Sequence, residues 1–145
     1  ISLVMGNKNQ LWWDLPAWDS FVMFRELYDV GHAHFKSRID ELVTKLASHA
    51  TLVQFEGVTI PAVQSAALTS QIGERLSANH PFCLIWHDRN GRRYYSMRSR
   101  EDGTDVGAIA ASFGGGGHTH AAGFSIPLQA DGSLPSTPRL PRPAL

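Results

Sequence analysis

The residues best suited to chemistry lie between positions 96 and 120. Ser96, Arg98, Ser99 and Arg100 fall close together in "YYSMRSR", and further on Gly114, Gly115, Gly116 and Gly117 run directly into His118, with His120 beyond it. An arginine is planar and permanently charged, and its paired N–H donors match phosphate oxygens. Consecutive glycines leave backbone N–H groups unshielded, and successive amides can form a concave nest for an anion. A histidine beside such a nest can donate to a phosphate oxygen. Together these residue types point to a phosphate grip. Arg98, the four glycines and His118 are its main candidates, with Ser96 and Arg100 beside them.

The glycine run is neither of the two common phosphate loops. It lacks the Gly-Lys-Ser/Thr ending of a Walker loop. It follows a helix rather than a strand, so it is not a dinucleotide fingerprint. The preceding helix would offer a phosphate the wrong end of its dipole, so a favourable dipole would have to come from a helical turn starting near His118. Ala121, Ala122 and Gly123 are small enough to let such a turn pack closely. The plain alternative is a flexible loop, but flexible linkers carry Ser and other polar residues. This run is instead bracketed by Phe113 and Phe124. His118 and His120 lack a cysteine or carboxylate partner at zinc-site spacing. No metal ligand is therefore assigned, and His120 is read as exposed.

The elements that must position these residues follow from periodicity. "AWDSFVMFRELYDVG" reads as a helix stopped by Gly31, and Ile39, Leu42, Val43, Leu46 and Ala47 stripe a second helix over about 33–48. "TLVQF" and "VTIPAV" read as short strands around Glu56-Gly57, with Pro61 requiring an edge or a bulge. Leu68, Ile72 and Leu76 mark a third helix. "FCLIWHD" is a buried strand, Asn90-Gly91 a hairpin turn, and "RRYYSMRSR" the return strand. On that strand Tyr94, Ser96, Arg98 and Arg100 share one face. "TDVGAIAASF" is a short helix capped by Thr104 or Asp105 and closed by Gly114, and "GFSIPL" is a last strand. The expected fold is α/β (α+β), a mixed sheet of about five strands flanked by helices, preceded by a helical linker segment. Residues 1–50 form that linker and 51–128 the binding domain. Residues 129–145, rich in Pro and Ser without a period, read as a disordered tail.

Composition narrows the class. The chain has 145 residues, 43% of them hydrophobic, with 13 basic and 13 acidic residues and no formal net charge. That is a globular balance, and it disfavours a broad electrostatic grip on duplex DNA. The basic charge is nevertheless local: five arginines and no acid lie between Arg89 and Arg100, against seven acids and four bases from Asp14 to Glu56. The single cysteine, Cys83, excludes an internal disulfide, sits in an apolar run as a core thiol would, and fits a reducing, cytoplasmic setting. No apolar run has the ~18–20 residues of a membrane span, and the start has no basic leader or small-residue cleavage site. The chain opens on Ile rather than Met, as a piece of a longer protein would.

"SMRSR…DVGAIAASFGGGGHTHAAGF" resembles the signature of the DHH-associated C-terminal domain of DHH-family phosphoesterases. The resembling positions are Ser96, Arg98 and Ser99, then Asp105, Val106, Ile109 and Ala110. After them come Gly115, Gly116, Gly117, His118, Ala121, Ala122 and Gly123. The likeness covers about residues 57–127 and is ordered and correctly spaced. It implies a domain that closes over a cleft and grips substrate phosphate or base with the arginine strand and the Gly-His loop, with Ser96 and Ser99 as secondary binding residues. The substrates it implies are DNA or RNA ends, short oligonucleotides, cyclic dinucleotides, nucleotide phosphates or pyrophosphate. It further implies an N-terminal catalytic domain holding two metals, usually manganese, through aspartates and an Asp-His-His motif. This sequence has no Asp-His-His and no aspartate cluster, so it reads as the substrate-binding half without the catalytic half. The partners expected are a short or single-stranded nucleic acid or nucleotide and the missing catalytic domain, with no membrane. The competing reading is a free-standing, non-catalytic nucleic-acid-binding module, or a subunit completing an enzyme in trans, with "LWWDLPAW" as a docking segment. Similar Gly-rich domains are appended to alanyl-tRNA synthetases, but the Ser-x-Arg-Ser strand and the doubled alanine favour the phosphoesterase branch. Tyr94 and Trp86 are the aromatic residues placed to stack a base, although their more common role is in the core or on a sheet face.

Overall fold

Two left-handed turns set the middle of the sheet. Glu56 (φ 48°) and Gly57 (φ 81°) reverse the chain between β1 (Thr51–Phe55) and β2 (Val58–Gln64). Asn90 (φ 50°) and Gly91 (φ 70°) do the same between β3 (Cys83–Arg89) and β4 (Arg92–Arg98). Positive φ at both central residues matches the twist of the flanking strands, which is why Asn-Gly marks a hairpin. The computed structural model describes residues 17–136 and 139–144; most of the Trp-rich "LWWDLPAW" segment lies outside them.

The chain forms two compact units, one up to Leu42 and one from Val43 onward. The first unit contains α1 (Ala17–Leu27) and most of α2 (His32–Ala47). Within it Trp18 packs on Phe35 with ring centroids 6.0 Å apart, and the Arg25 guanidinium lies 5.7 Å from the same ring.

The second unit is a mixed sheet of seven strands with α3 (Thr69–Ser77) and α4 (Val106–Ser112). Its remaining strands are β5 (Gly116–His118), β6 (Ala121–Pro127) and β7 (Arg142–Pro143), and the order is β5-β6-β4-β3-β2-β1-β7. The β2–β3 pair is parallel and the other pairs are antiparallel. The mixed α/β class expected from the pattern is the one found. β2 is an interior strand, yet its pairing with β3 begins at Ala62, one residue after Pro61. The missing N–H of Pro61 therefore interrupts no ladder on that side.

The main core lies on one face of the sheet. Phe55, Leu84, Tyr95, Met97, Ala122 and Phe124 pack there with Val106 and Ala110 of α4. On the opposite face α3 covers only part of the sheet; its Gly73 adjoins Ile85 and Arg98. Cys83 is fully buried beside the Gly73 carbonyl (3.4 Å), and burial pushes its thiol up to about 11, so it is no nucleophile.

Two strands were not expected, and both are short. β5 lies inside the glycine run, where low strand propensity favours a loop reading. It forms because Phe113 and Phe124 stack 4.5 Å apart and bring the segment beside β6. β7 corrects the reading of 129–145 as a disordered tail. In the described part of that segment Leu140 is buried and β7 pairs with β1. Arg139 reaches Ser112 Oγ (2.9 Å) and Glu56 (3.2 Å), with its guanidinium 4.3 Å from the Phe113 ring. Pro- and Ser-rich composition reports no such long-range anchors.

At the β3–β4 hairpin, Arg93 makes two 2.7 Å bonds to Asp88 and lies 3.8 Å from the Trp86 ring. The Arg93 bond holds the Asp88 carboxyl below its ordinary value. A carboxyl depressed on folding contributes stability that is present above its unfolded pKa and lost as pH falls through the folded one. Acid titration of the unfolding midpoint should therefore show a small loss of stability below pH ~4 that Asp88→Asn lacks. The pair is partly solvated, which keeps the effect small.

Candidate phosphate-binding site

Strand register brings the candidate residues into rungs. Residues directly opposite in a ladder share a face, and successive same-face rungs lie ~7 Å apart. One rung runs Cys83–Arg98–Ala121–His118 across β3, β4, β6 and β5. The next runs Ile85–Ser96–Gly123–Gly116, and the third His87–Tyr94–Ser125. All three lie on the face that α3 covers only in part. Arg98 and His118 thus flank Ala121, whose side chain is a single methyl. With neighbouring strands ~4.8 Å apart, their backbones lie ~10 Å from each other. That gap leaves a seat between a cation and an imidazole. His118 is exposed and Arg98 half-buried.

Arg98 is held from below. Its side chain passes over Gly73 of α3, where an added Cβ would collide with the Arg98 stem. NH1 donates to the Met97 carbonyl (2.9 Å), and NH2 makes a long contact with Ser70 Oγ (3.5 Å). Arg100 goes elsewhere. β4 ends at Arg98, and Arg100 bonds the Ala78 carbonyl at the other end of α3 (3.0 Å) and pairs with Asp102 (3.2 Å). The shared face expected for Arg98 and Arg100 does not form, because strand alternation stops between them.

The glycines divide into distinct roles. The N–H groups of Gly114 and Gly115 close α4, donating to the Ala111 (3.0 Å) and Ala110 (2.9 Å) carbonyls. Gly114 takes the left-handed conformation (φ 77°) that a helix end of this kind requires. A nest of four open amides is therefore not what the backbone makes. Gly115 and Gly117 are close-approach positions. A Cβ on Gly115 would meet the Gly123 carbonyl and the Phe124 Cβ (2.6 Å), and one on Gly117 the Ala122 Cα (2.5 Å). A Cβ on Gly116 meets nothing within 4 Å. No helical turn starts at His118, since residues 119 and 120 form the tight turn between β5 and β6. No helix dipole is available there, because Ala121, Ala122 and Gly123 are strand residues.

The serines also separate. Ser99 Oγ has one proton and donates it to the Thr104 carbonyl (2.7 Å). Its 3.0 Å contact with His120 Nδ1 is therefore donated by the ring, which assigns the tautomer. Ser99 and His120 brace the turn, and the Ser99 N–H adds a 3.1 Å bond to the His120 carbonyl. His120 is half-buried rather than exposed. Ser96 stays half-buried on the open face between the arginine and aromatic rungs. Gly73 was missed by the sequence reading. Its signal was a glycine inside "SQIGERL", which costs a helix ~1 kcal/mol relative to alanine and so marks a close approach.

A groove of about 470 Å³ begins at the next rung, that of Ser96 and Gly123, and is lined also by His87, Tyr94 and Ser125, with Phe113 and Phe124 at its edge. Among the described residues no group of three or more His, Cys, Asp or Glu side chains comes together to hold a metal. No helix among them is long and apolar enough to cross a membrane.

No protein-family model matches the chain. Over 67 residues it is 39% identical to the uncharacterized protein R106 of Acanthamoeba polyphaga mimivirus, covering 43% of this chain and 16% of that protein. Among solved structures it overlaps an uncharacterized protein from Helicobacter pylori G27 at 19% identity and TM-score 0.44, covering 76% of this chain and 33% of that one. It also overlaps the pGpG-specific phosphodiesterase PggH from Vibrio cholerae at 13% identity and TM-score 0.39, covering 79% of this chain and 46% of that one. The chain thus spans less than half the length of each of these proteins.

Proposed function

We propose that this chain is the substrate-gripping part of a DHH-family, metal-dependent phosphoesterase acting on short oligonucleotides, single-stranded nucleic-acid ends or related nucleotides. The observation that carries this reading is the Arg98–Ala121–His118 rung, a cation and an imidazole either side of a methyl, beside an open glycine floor. An arginine supplies directed, charge-assisted bonds to phosphate oxygens, and the small residues admit the ligand close to the backbone. The ordered Ser-x-Arg-Ser, Asp-Val and Gly-Gly-Gly-His motifs support the same family. On this reading manganese belongs to a catalytic domain outside this sequence, and the residues of this chain bind and orient the substrate. A reducing, cytoplasmic setting suits the lone buried thiol of Cys83.

The test is a fluorescence titration of the chain with a labelled 5′-phosphorylated dinucleotide, with manganese present and the product analysed afterwards. Binding without cleavage is the expected result. Cleavage by the pure chain would mean that a metal centre forms from these residues after all. No binding would overturn the proposal.

A further inference from the structure

We infer that the groove beside the phosphate seat is a base-stacking subsite walled by Tyr94 and its stacked partner His87. The site then selects nucleotides over inorganic phosphate or pyrophosphate. This rests on the phosphate-gripping reading above and adds the base to what that site recognises.

Register makes the first argument. Tyr94 shares a face with Ser96 and Arg98, at the far end of the same three rungs. Four residues along a strand span ~13 Å. A ligand reaching from Tyr94 to Arg98 therefore has the length of a nucleotide or dinucleotide, not of a phosphate ion. On β4, β6 and β5 the rung between the two ends holds Ser96 and the glycines at 123 and 116, while its fourth residue, Ile85 on β3, lies beside Gly73 of α3. A flat ligand meets no tall side chain on that path.

The aromatic wall is already arranged. The rings of His87 and Tyr94 are nearly parallel, 11° apart, with centroids separated by 5.3 Å. His87 comes from β3, so it backs Tyr94 from one side. On the other side lies β6, which offers Ser125 and Gly123. Arg92 is tied to the same place, with Nε and NH2 on Ser125 Oγ (3.1 and 3.0 Å) and NH2 on the Ser125 carbonyl (3.2 Å). The groove holds about 470 Å³, within the range of small-molecule sites. A ring backed by a second ring loses little freedom when a base stacks on it.

The other aromatic side chains of this hairpin are not available. Trp86 and Tyr95 pair with each other on the core face. Arg93 lies 3.8 Å from the Trp86 ring, and Tyr95 is only 3% exposed. Strand alternation thus buries Tyr95 in the core, where it only borders the groove, and leaves Tyr94 on the open face.

The test compares two ligands on the full chain: a 5′-phosphorylated dinucleotide and its abasic counterpart, identical in backbone. The unaltered chain should bind the base-bearing ligand about tenfold or more tightly than the abasic one. Tyr94→Ala should abolish that difference while leaving abasic affinity unchanged, and Tyr94→Phe should keep it. Arg98→Ala should weaken both ligands. Equal affinity for the two ligands in the unaltered chain, or a Tyr94→Ala variant that keeps the ratio, overturns the stacking subsite while an Arg98→Ala effect still supports the phosphate grip. Failure of the unaltered chain to bind either ligand overturns both. Should Tyr94→Ala not fold, ligand-observed NMR on the unaltered chain decides. Upfield ring-current shifts of the base protons support the stack, and their absence overturns it.

Discussion

Gly115→Ala should lower the thermal midpoint of the sheet unit by roughly 10 °C or more, while Gly116→Val beside it should leave that midpoint unchanged or slightly raised. The two glycines are neighbours in one run, but their surroundings are opposite. A Cβ at 115 collides with the Gly123 carbonyl and the Phe124 Cβ (2.6 Å), and neither is the yielding end of a long side chain. The two strands must move apart, and that disturbs the Phe113–Phe124 stack (4.5 Å) that pins the segment. Overpacking of this kind costs ~3 kcal/mol, and in a unit of this size each kcal/mol moves the midpoint by several degrees. At 116 the Cβ meets nothing within 4 Å, and the residue lies in an edge strand, where valine is favoured. Its rung is that of Ser96 and Gly123, so the valine methyls stand on the ligand floor. Gly116→Val should therefore keep the fold and lose about tenfold or more in dinucleotide affinity, by the steric cost of ~1–3 kcal/mol that overpacking carries. Calorimetry and titration of both variants check the pair. A stable Gly115→Ala variant would refute the close-approach argument, and undiminished binding by Gly116→Val would place the ligand elsewhere.

Arg98→Ala should weaken phosphate-ligand binding by ~1–3 kcal/mol, the cost of a lost charge-assisted hydrogen bond, without unfolding the chain. Its guanidinium bonds only one backbone carbonyl at short range, that of Met97 (2.9 Å), so the fold has little dependence on it. His118→Ala should have a similar or smaller effect, since His118 is exposed on the outer strand. Arg98→Lys should recover only part of the loss, because an ammonium carries the charge without the planar pair of donors. Arg100→Ala, by contrast, should hardly change affinity, as Arg100 is turned toward Ala78 and Asp102. Affinities measured in parallel at one salt concentration separate these cases. Equal losses at 98 and 100 would indicate a diffuse charge effect rather than a built seat.

The contrast between Arg98 and Arg100 shows where one-dimensional reading stops. Helices, strands and both left-handed hairpin turns follow from local rules, because apolar period and φ preference act over a few residues. Asp105 as a helix cap, its carboxylate accepting the Ala108 N–H (3.0 Å), belongs to the same class. So does the motif order from Ser96 to Gly123, from which the candidate site was legible. What decided the site was register, and register depends on partners far away in sequence. Pairing with β6 placed Arg98 in line with Ala121 and His118, and the end of β4 turned Arg100 away. Pairing with β3 set His87 against Tyr94 and left Tyr95 in the core. The glycine run read as an open nest because glycine is locally permissive. In the folded chain two of its amides close α4, and its last two glycines begin an edge strand. Residues 139–144 read as tail because proline and arginine have no local period, whereas Leu140 and β7 are held by β1 and its neighbours across the chain. Composition and spacing thus marked the residues whose types suit a phosphate grip, and long-range packing decided which of those side chains share one face of the sheet.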